Sequence, residues 1–136
     1  MAPCTRALPL LAALCVFALG AAAPGASEAD PARGQLVWRK CQNCHTTELG
    51  GRNRTGPRLA GIFSRPAGSL PNYRYSEALK RSGIVWAEGT LDTYLKDSEA
   101  FVPGTKMYGG LSLARDRADL IAYLKAATRA PPVPSR

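Results

Sequence analysis

The five consecutive residues Cys41-Gln42-Asn43-Cys44-His45 constrain this 136-residue chain more than any other feature of its sequence. Two cysteines three positions apart lie on one face of a helical turn, so both thiols can meet the edge of one flat molecule. The histidine that follows can place its imidazole beneath the centre of that molecule. This spacing is typical of covalent haem c attachment, in which both cysteines form thioether bonds to the haem vinyl groups.

Two other uses of the motif stay open on these residues alone. A disulfide or redox pair between Cys41 and Cys44 would suit an exported protein, although thioredoxin-like chemistry would need an α/β pattern that this sequence lacks. Structural zinc needs four ligands, whereas the motif supplies two cysteines and one histidine, so a carboxylate would have to complete the set. The motif favours one haem c, held covalently through Cys41 and Cys44.

The scarcity of other ligand residues narrows the chemistry further. His45 is the only histidine in the chain, and Met107 is the only methionine besides Met1. A lone methionine more often packs in a core, but Met107 stands in a loop that contains proline and glycine. With His45 on the iron, Met107 is the remaining strong candidate for its sixth ligand. Such ligation raises the reduction potential and leaves no open iron position, which favours electron transfer over enzymatic catalysis.

The first 28 residues indicate a secretory signal peptide. Arg6 precedes an apolar run from Ala7 to Ala23, and small residues follow it. The run is shorter than the roughly 20 residues that span a bilayer, which favours a cleaved leader over a retained anchor. We expect cleavage between residues 20 and 29, export of the mature chain and no stable membrane insertion afterwards.

The chain is basic, with a formal net charge of +8. Nucleic acid is a poor partner for an exported protein, and the sequence has no aromatic-rich stacking segment. The charge instead favours acidic docking surfaces on redox proteins, with Lys40 and Lys106 beside the two candidate ligands and Arg39 and Arg54 nearby. A generic soluble basic surface is the competing interpretation. We expect transient docking by a monomer.

Residues 29–128 predict one all-α domain of about four to five short helices joined by long loops. Helices are predicted from Pro31, behind the N-cap Asp30, to about Gln42; from Ser76 to Arg81; from a cap at Thr90; and from Ala114 to Ala127. Residues 46–72 and 101–104 contain glycine and proline and predict loops. Residues 129–136 are rich in proline and predict a disordered tail. Loops this long in so small a domain favour a bound cofactor.

In combination, these residues resemble the class I cytochromes c over the range from Gly34 to Ala127. The motifs stand in the family order: Thr55-Gly56-Pro57, Tyr75, Gly83-Ile84-Val85-Trp86, Tyr94-Leu95 and Pro103-Gly104-Thr105-Lys106-Met107. The resemblance implies the compact cytochrome c fold, with short helices and long loops wrapped around one covalently bound haem. It also implies a soluble one-electron carrier.

The resemblance implies roles for individual residues around the iron. His45 and Met107 are expected to be its axial ligands. The backbone carbonyl of Pro57 is expected to accept the imidazole N–H, which would fix the tautomer of the ring.

Other residues are expected, from the same resemblance, around the haem propionates. Tyr75 and Trp86 are expected to hydrogen-bond a buried propionate, and Arg65 to compensate its charge. Tyr94 and Thr105 are expected beside the methionine ligand and the inner propionate.

The implied function is to shuttle electrons between a quinol-oxidising complex or dehydrogenase and a terminal oxidase or reductase in the periplasm. A dedicated electron-accepting subunit of one periplasmic oxidoreductase and a haem-based ligand sensor are the alternatives. Three features depart from the mitochondrial pattern of the family. Leu79 stands where a polar residue is common, and the segment 108–111 is one residue shorter and lacks a phenylalanine. The start of the domain, Gly34-Gln35-Leu36-Val37-Trp38, fits the bacterial spacing better. This start and the leader, a type that mitochondrial cytochromes c lack, favour the bacterial periplasm.

Overall fold

The computed structural model describes residues 28–129. It contains five helices in chain order: α1 (Pro31–Trp38), α2 (Glu77–Arg81), α3 (Glu88–Lys96), α4 (Ser98–Phe101) and α5 (Ala114–Ala127). This range holds no β-strand, only an isolated antiparallel bridge between Pro66 and Val85. The predicted all-α class is confirmed. No helix in the described range is long and apolar enough to cross a bilayer. Apart from residues 28 and 129 themselves, the predicted leader and tail lie outside the described residues.

The first helix begins where the sequence predicts and is fastened to the last. The Asp30 side chain accepts hydrogen bonds from the backbone N–H groups of Ala32 at 2.9 Å and Arg33 at 3.3 Å, and Pro31 takes the first helical position. The backbone N–H of Asp30 donates to Oδ1 of Asp119 in α5 at 2.7 Å. The other oxygen of Asp119 lies 3.1 Å from the Arg33 guanidinium. Because Asp119 is only 1 % exposed, water does little to stabilise its charge, and its contacts with Asp30 and Arg33 hold α5 against the start of α1.

The α-helical part of α1 ends earlier than the sequence predicts. It stops at Trp38 and not near Gln42, and residues 39–44 continue as tight turns. The Cys41 N–H donates to the Trp38 carbonyl three residues back at 2.8 Å, and the His45 N–H donates to the Cys41 carbonyl at 3.0 Å. Mixed three- and four-residue spacing is common where a helix tightens at its end. The cysteine motif therefore lies on a tightened extension of α1.

The middle of the chain holds three short helices, one more than the sequence predicts. Ser76 caps α2, as predicted. α3 begins at Glu88 and not behind Thr90, because Thr90 lies inside the first turn, where its Oγ1 accepts the backbone N–H of Ala87 at 2.8 Å. α4, behind its cap Asp97, is only four residues long and too short to show a hydrophobic period in the sequence.

The last helix spans its predicted residues and packs closely across the first. A Cβ at Gly34 would lie 2.0 Å from the backbone carbonyl oxygen of Asp119 and 2.7 Å from Cβ of Tyr123, so only glycine fits at this crossing. The rings of Trp38 and Tyr123 meet beside it with centroids 6.0 Å apart. Below the crossing lie the buried apolar side chains of the core, Leu91, Leu95, Leu120, Ile121 and Leu124.

Replacing Gly34 tests the crossing. We expect Gly34→Ala to lower the free energy of unfolding by about 1–3 kcal/mol, because the backbone of α5 must move away from the new methyl group. Urea unfolding of the haem-loaded protein, followed by far-UV circular dichroism, measures the change. Gly89→Ala in α3 is the matched control, since its Cβ would meet no atom within 4 Å. That variant should gain about 0.5 kcal/mol from helix propensity. A Gly34→Ala protein as stable as the wild type would contradict the close crossing.

Candidate functional site

A single cavity gathers the residues that the sequence singles out. Its volume is about 240 Å³, far above the one-water voids that close-packed interiors usually hold. Its walls include all ten predicted site residues: Cys41, Cys44, His45, Pro57, Arg65, Tyr75, Trp86, Tyr94, Thr105 and Met107. The fold therefore brings together side chains from the motif, the long loops, α3 and the loop before α5. Their individual roles stay predictions.

The rest of the cavity wall is mainly core side chains that the sequence does not assign to a site. Apolar members are Trp38, Leu59, Ile62, Leu79, Leu91, Leu95, Leu120 and Leu124. Helical spacing does mark several of them as interior, but spacing alone cannot show that an interior face borders a cavity and not another side chain. The site is thus a hollow within the hydrophobic core.

Cys41 and Cys44 are both free thiols at this cavity. Cys44 is exposed and Cys41 is half-buried. Burial raises the pKa of Cys41, and the nearby Lys40 charge only partly opposes this. A raised pKa disfavours the thiolate that thiol–disulfide exchange requires. Two free thiols beside a large apolar cavity, one of them with a raised pKa, therefore fit cofactor attachment better than redox disulfide chemistry.

The zinc alternative finds no ligand set in the described range. Among residues 28–129, no three His, Cys, Asp or Glu side chains are grouped closely enough to hold a metal ion. The carboxylate that zinc would need beside the motif is therefore not found there.

His45 is held in one orientation by its neighbours. Its Nδ1 lies 2.7 Å from the Pro57 carbonyl oxygen, which can only accept, so Nδ1 carries the proton and Nε2 keeps its lone pair. Gly56 packs on the ring, since a Cβ there would lie 2.3 Å from Cε1 and 2.7 Å from either ring nitrogen. Burial lowers the pKa of His45, and the Pro57 hydrogen bond opposes the shift. The result is a neutral, oriented imidazole, which is the form that binds iron.

Met107 lies in the loop between α4 and α5, and polar side chains lie near both its backbone N–H and its carbonyl. Its backbone N–H lies 3.4 Å from Oγ1 of Thr105, and that oxygen is 2.6 Å from the buried hydroxyl of Tyr94. Its carbonyl accepts a hydrogen bond from the Ser98 hydroxyl at 2.6 Å. Sequence reasoning assigns no role to Ser98, because a hydrogen bond to a distant backbone carbonyl has no sequence signature.

One side of the cavity is polar. The Arg65 guanidinium donates to the carbonyls of Ala60 at 2.9 Å and Arg58 at 3.2 Å, which fixes its direction. Burial lowers the pKa of Arg65, and Tyr75 opposes the shift. Trp86, whose indole carries one N–H donor, lines the same cavity. An oriented cation with nearby donors is the chemistry that holds a carboxylate, such as a haem propionate.

An all-α domain with a hollow apolar core, two free thiols and an oriented neutral imidazole defines a protein that binds haem covalently. The chain belongs to the cytochrome c family, whose model, described as Cytochrome c, matches residues 31–128. The cytochrome c of Theileria annulata is 48 % identical over 103 residues, 74 % of this chain and 89 % of that protein. The cytochrome c of Gibberella zeae is 48 % identical over 95 residues, 69 % of this chain and 90 % of that protein. The cytochrome c2 of Blastochloris viridis is 40 % identical over 111 residues, 81 % of this chain and 87 % of that protein.

Family membership confirms the resemblance and the cofactor. Cytochromes c bind one haem c covalently through a cysteine pair, which in this chain is Cys41 and Cys44. They are electron carriers that work with redox partner proteins. The chain is accordingly an electron carrier of the cytochrome c family.

Replacing Gly56 tests how closely the imidazole is held. We expect Gly56→Ala to displace the His45 ring and to cost about 1–3 kcal/mol of stability in the loaded protein, because the new methyl group overlaps the ring. The absorption spectrum should gain a high-spin component relative to the wild type.

The control for this experiment is Gly89→Ala, which should keep the wild-type spectrum. The fraction of haem-loaded protein, measured by intact mass, should fall only in Gly56→Ala. A wild-type spectrum and loading in Gly56→Ala would contradict the close packing.

Proposed function

We propose that this chain is a soluble periplasmic one-electron carrier in which His45 and Met107 ligate the haem iron. Bound haem supplies a one-electron Fe(III)/Fe(II) couple. The observation that carries the proposal is that both side chains line the cavity of the attachment cysteines, while the Pro57 hydrogen bond leaves His45 Nε2 free. Because Met1 lies in the predicted leader, the mature chain would offer no other histidine and no other methionine.

The proposed ligation favours a carrier over an enzyme. With both His45 and Met107 on the iron, no position would stay open for a substrate. The apolar wall from α3 and α5 keeps water away and disfavours the more highly charged state of the centre, which favours the reduced form. The chain's own residues therefore support electron storage at a raised potential.

The proposed partners are acidic surfaces of redox proteins: a quinol-oxidising complex or dehydrogenase as donor, and an oxidase or reductase as acceptor. Lys40, Lys106 and Arg39 are exposed, and Arg54 donates to the Gln42 carbonyl at 2.6 Å, beside the motif. The ion pairs within residues 28–129 use other cations: Arg33, Lys80, Arg117 and Lys125. The cations near the motif and Met107 thus have their charge available to steer a transient partner.

The periplasmic part of the proposal rests on the N-terminal 28 residues. Their charged start, apolar run and small residues are typical of a cleaved secretory leader. The relatives named above include cytochromes c of eukaryotes and a cytochrome c2 of a bacterium, so support for the compartment comes from the leader and not from these similarities.

One preparation tests the ligands and the leader together. We expect the full chain, produced in a bacterium that attaches haem c in its periplasm, to be recovered there with a mass that places cleavage between residues 20 and 29. Its ferric spectrum should show the weak far-red band that marks methionine on iron. Met107→Ala should keep the haem, lose that band and lower the reduction potential by on the order of 0.2 V.

The control is Leu79→Ala, which shortens another buried side chain of the cavity wall. This variant should lose stability but keep the far-red band. A wild-type protein without the band that binds external ligands readily would support a haem sensor instead. Recovery in the cytoplasm with the leader intact would contradict the proposed compartment.

The docking proposal predicts a salt-dependent rate. We expect the second-order rate constant for reduction by an acidic donor protein to fall as ionic strength rises. At low ionic strength, Lys106→Gln should lower this rate constant about two- to three-fold, because the cation beside Met107 would be lost. Lys96→Gln is the control, since it removes the same charge from an exposed residue that does not line the cavity. A rate constant insensitive to salt would contradict electrostatic docking.

A further inference from the structure

We infer that Ser98 is a positioning residue for the iron ligand Met107, holding the ligand loop (residues 102–113, between α4 and α5) against the start of α4. The inference rests on the His/Met ligation proposed above. Ser98 is the first residue of α4, directly behind the cap Asp97, and only 1 % of its surface is exposed. Its hydroxyl oxygen lies 2.6 Å from the Met107 carbonyl oxygen and 3.1 Å from that of Gly109.

The direction of these hydrogen bonds is unambiguous. Both partners are backbone carbonyls, so the Ser98 hydroxyl must donate, and its single proton is shared between Met107 and Gly109 in a three-centre bond. The shorter distance makes the Met107 carbonyl the main acceptor. The Ser98 side chain, which α4 holds in place, thus fixes the peptide group between Met107 and Tyr108.

Ser98 itself is held firmly enough to act as an anchor. The Asp97 side chain accepts the backbone N–H of Ala100 at 3.0 Å and so caps the helix. The Ser98 carbonyl accepts the backbone N–H of Val102 at 2.9 Å, at the point where the chain leaves α4 for the ligand loop. The Ser98 hydroxyl therefore links the start of α4 to Met107 and Gly109 in the loop that follows this helix.

The loop beyond the ligand is fastened separately. The Leu111 N–H donates to the Leu95 carbonyl at 2.7 Å, and a Cβ at Gly110 would lie 2.4 Å from the Lys96 carbonyl oxygen. The Arg117 guanidinium donates to the Leu111 carbonyl at 2.7 Å. These contacts hold residues 110–111 against the end of α3, but they do not reach Met107.

Between these fixed points, the exposed residue Tyr108 adds little restraint, since 79 % of its surface is accessible. On the N-terminal side of Met107, the contact with Thr105 is long at 3.4 Å. Of the polar contacts to the backbone of Met107 in the described residues, the Ser98 bond is therefore the strong one. Losing it should let the ligand loop open without unfolding the domain.

Opening of the loop can be measured in the haem-loaded protein. Imidazole can bind the ferric iron only after the methionine leaves, so the limiting rate of imidazole binding reports loop opening. We expect Ser98→Ala to raise this limiting rate about ten-fold, because a carbonyl loses its partner in the closed state. The far-red band should also lose intensity at a lower temperature than in the wild type.

Thr128→Val is the matched control. Thr128 is likewise 1 % exposed, and its hydroxyl donates to the Leu124 carbonyl at 2.7 Å, at the end of α5 and away from the ligand loop. This variant should lose global stability in urea while keeping the wild-type rate of imidazole binding. Ser98→Thr retains the donor and should stay close to the wild-type rate.

The outcomes separate the inference from the function on which it rests. A wild-type protein with the far-red band, combined with an unchanged rate in Ser98→Ala, would overturn the role of Ser98 alone. Equal acceleration in Ser98→Thr and Ser98→Ala would also overturn it. A wild-type protein without the band would overturn the proposed ligation itself. Should Ser98→Ala not mature, Ser98→Cys replaces the hydroxyl with a weaker donor, and the same direction of change is expected.

Discussion

Four buried leucines have two roles, because they pack between the helices in the core and also form part of the wall of the central cavity. They are Leu91, Leu95, Leu120 and Leu124. This core is fully packed only when the cofactor fills its centre. Each Å² of apolar surface left in contact with water loses roughly 25 cal/mol of stabilising free energy. Covalent attachment at two cysteines makes that filling permanent. The haem is therefore as much a part of the hydrophobic core as any side chain, and the long loops gain from it an interior surface to pack on.

The sequence predicted the features of this arrangement that depend on a regular spacing of residues or on rare side chains. α5 shows a helical period, Ser76 is a good cap, and the cysteine motif has one dominant meaning. Prediction failed where tertiary contacts decide. Thr90 lies inside α3 and not at its cap, α1 tightens at Trp38, and α4 is too short for a period. The contact of Ser98 with Met107 depends on where two backbones meet, which no local pattern records.

Backbone carbonyls orient several site side chains in this protein through hydrogen bonds. The Pro57 carbonyl selects the tautomer of His45, and Arg65 is aimed by carbonyls of its own loop. The reverse arrangement holds in the ligand loop, where the side chains of Ser98 and Arg117 fix carbonyls. Each of these hydrogen bonds needs only one donor and one acceptor at a defined separation. A domain with little regular structure can thus hold a site rigidly through its loops.

The meeting of α1 and α5 has a consequence for the order of assembly. The attachment cysteines follow α1 closely, whereas Leu120 and Leu124 of the cavity wall belong to the last helix. Closing α5 onto α1 joins distant parts of the chain, and the entropic cost of such a contact grows with the length of the loop that it closes. The cavity is sealed only where this contact has formed. The attachment thiols of an unfolded chain are therefore open from the side that α5 covers in the folded domain, so a large flat cofactor can reach them more easily before folding than after it.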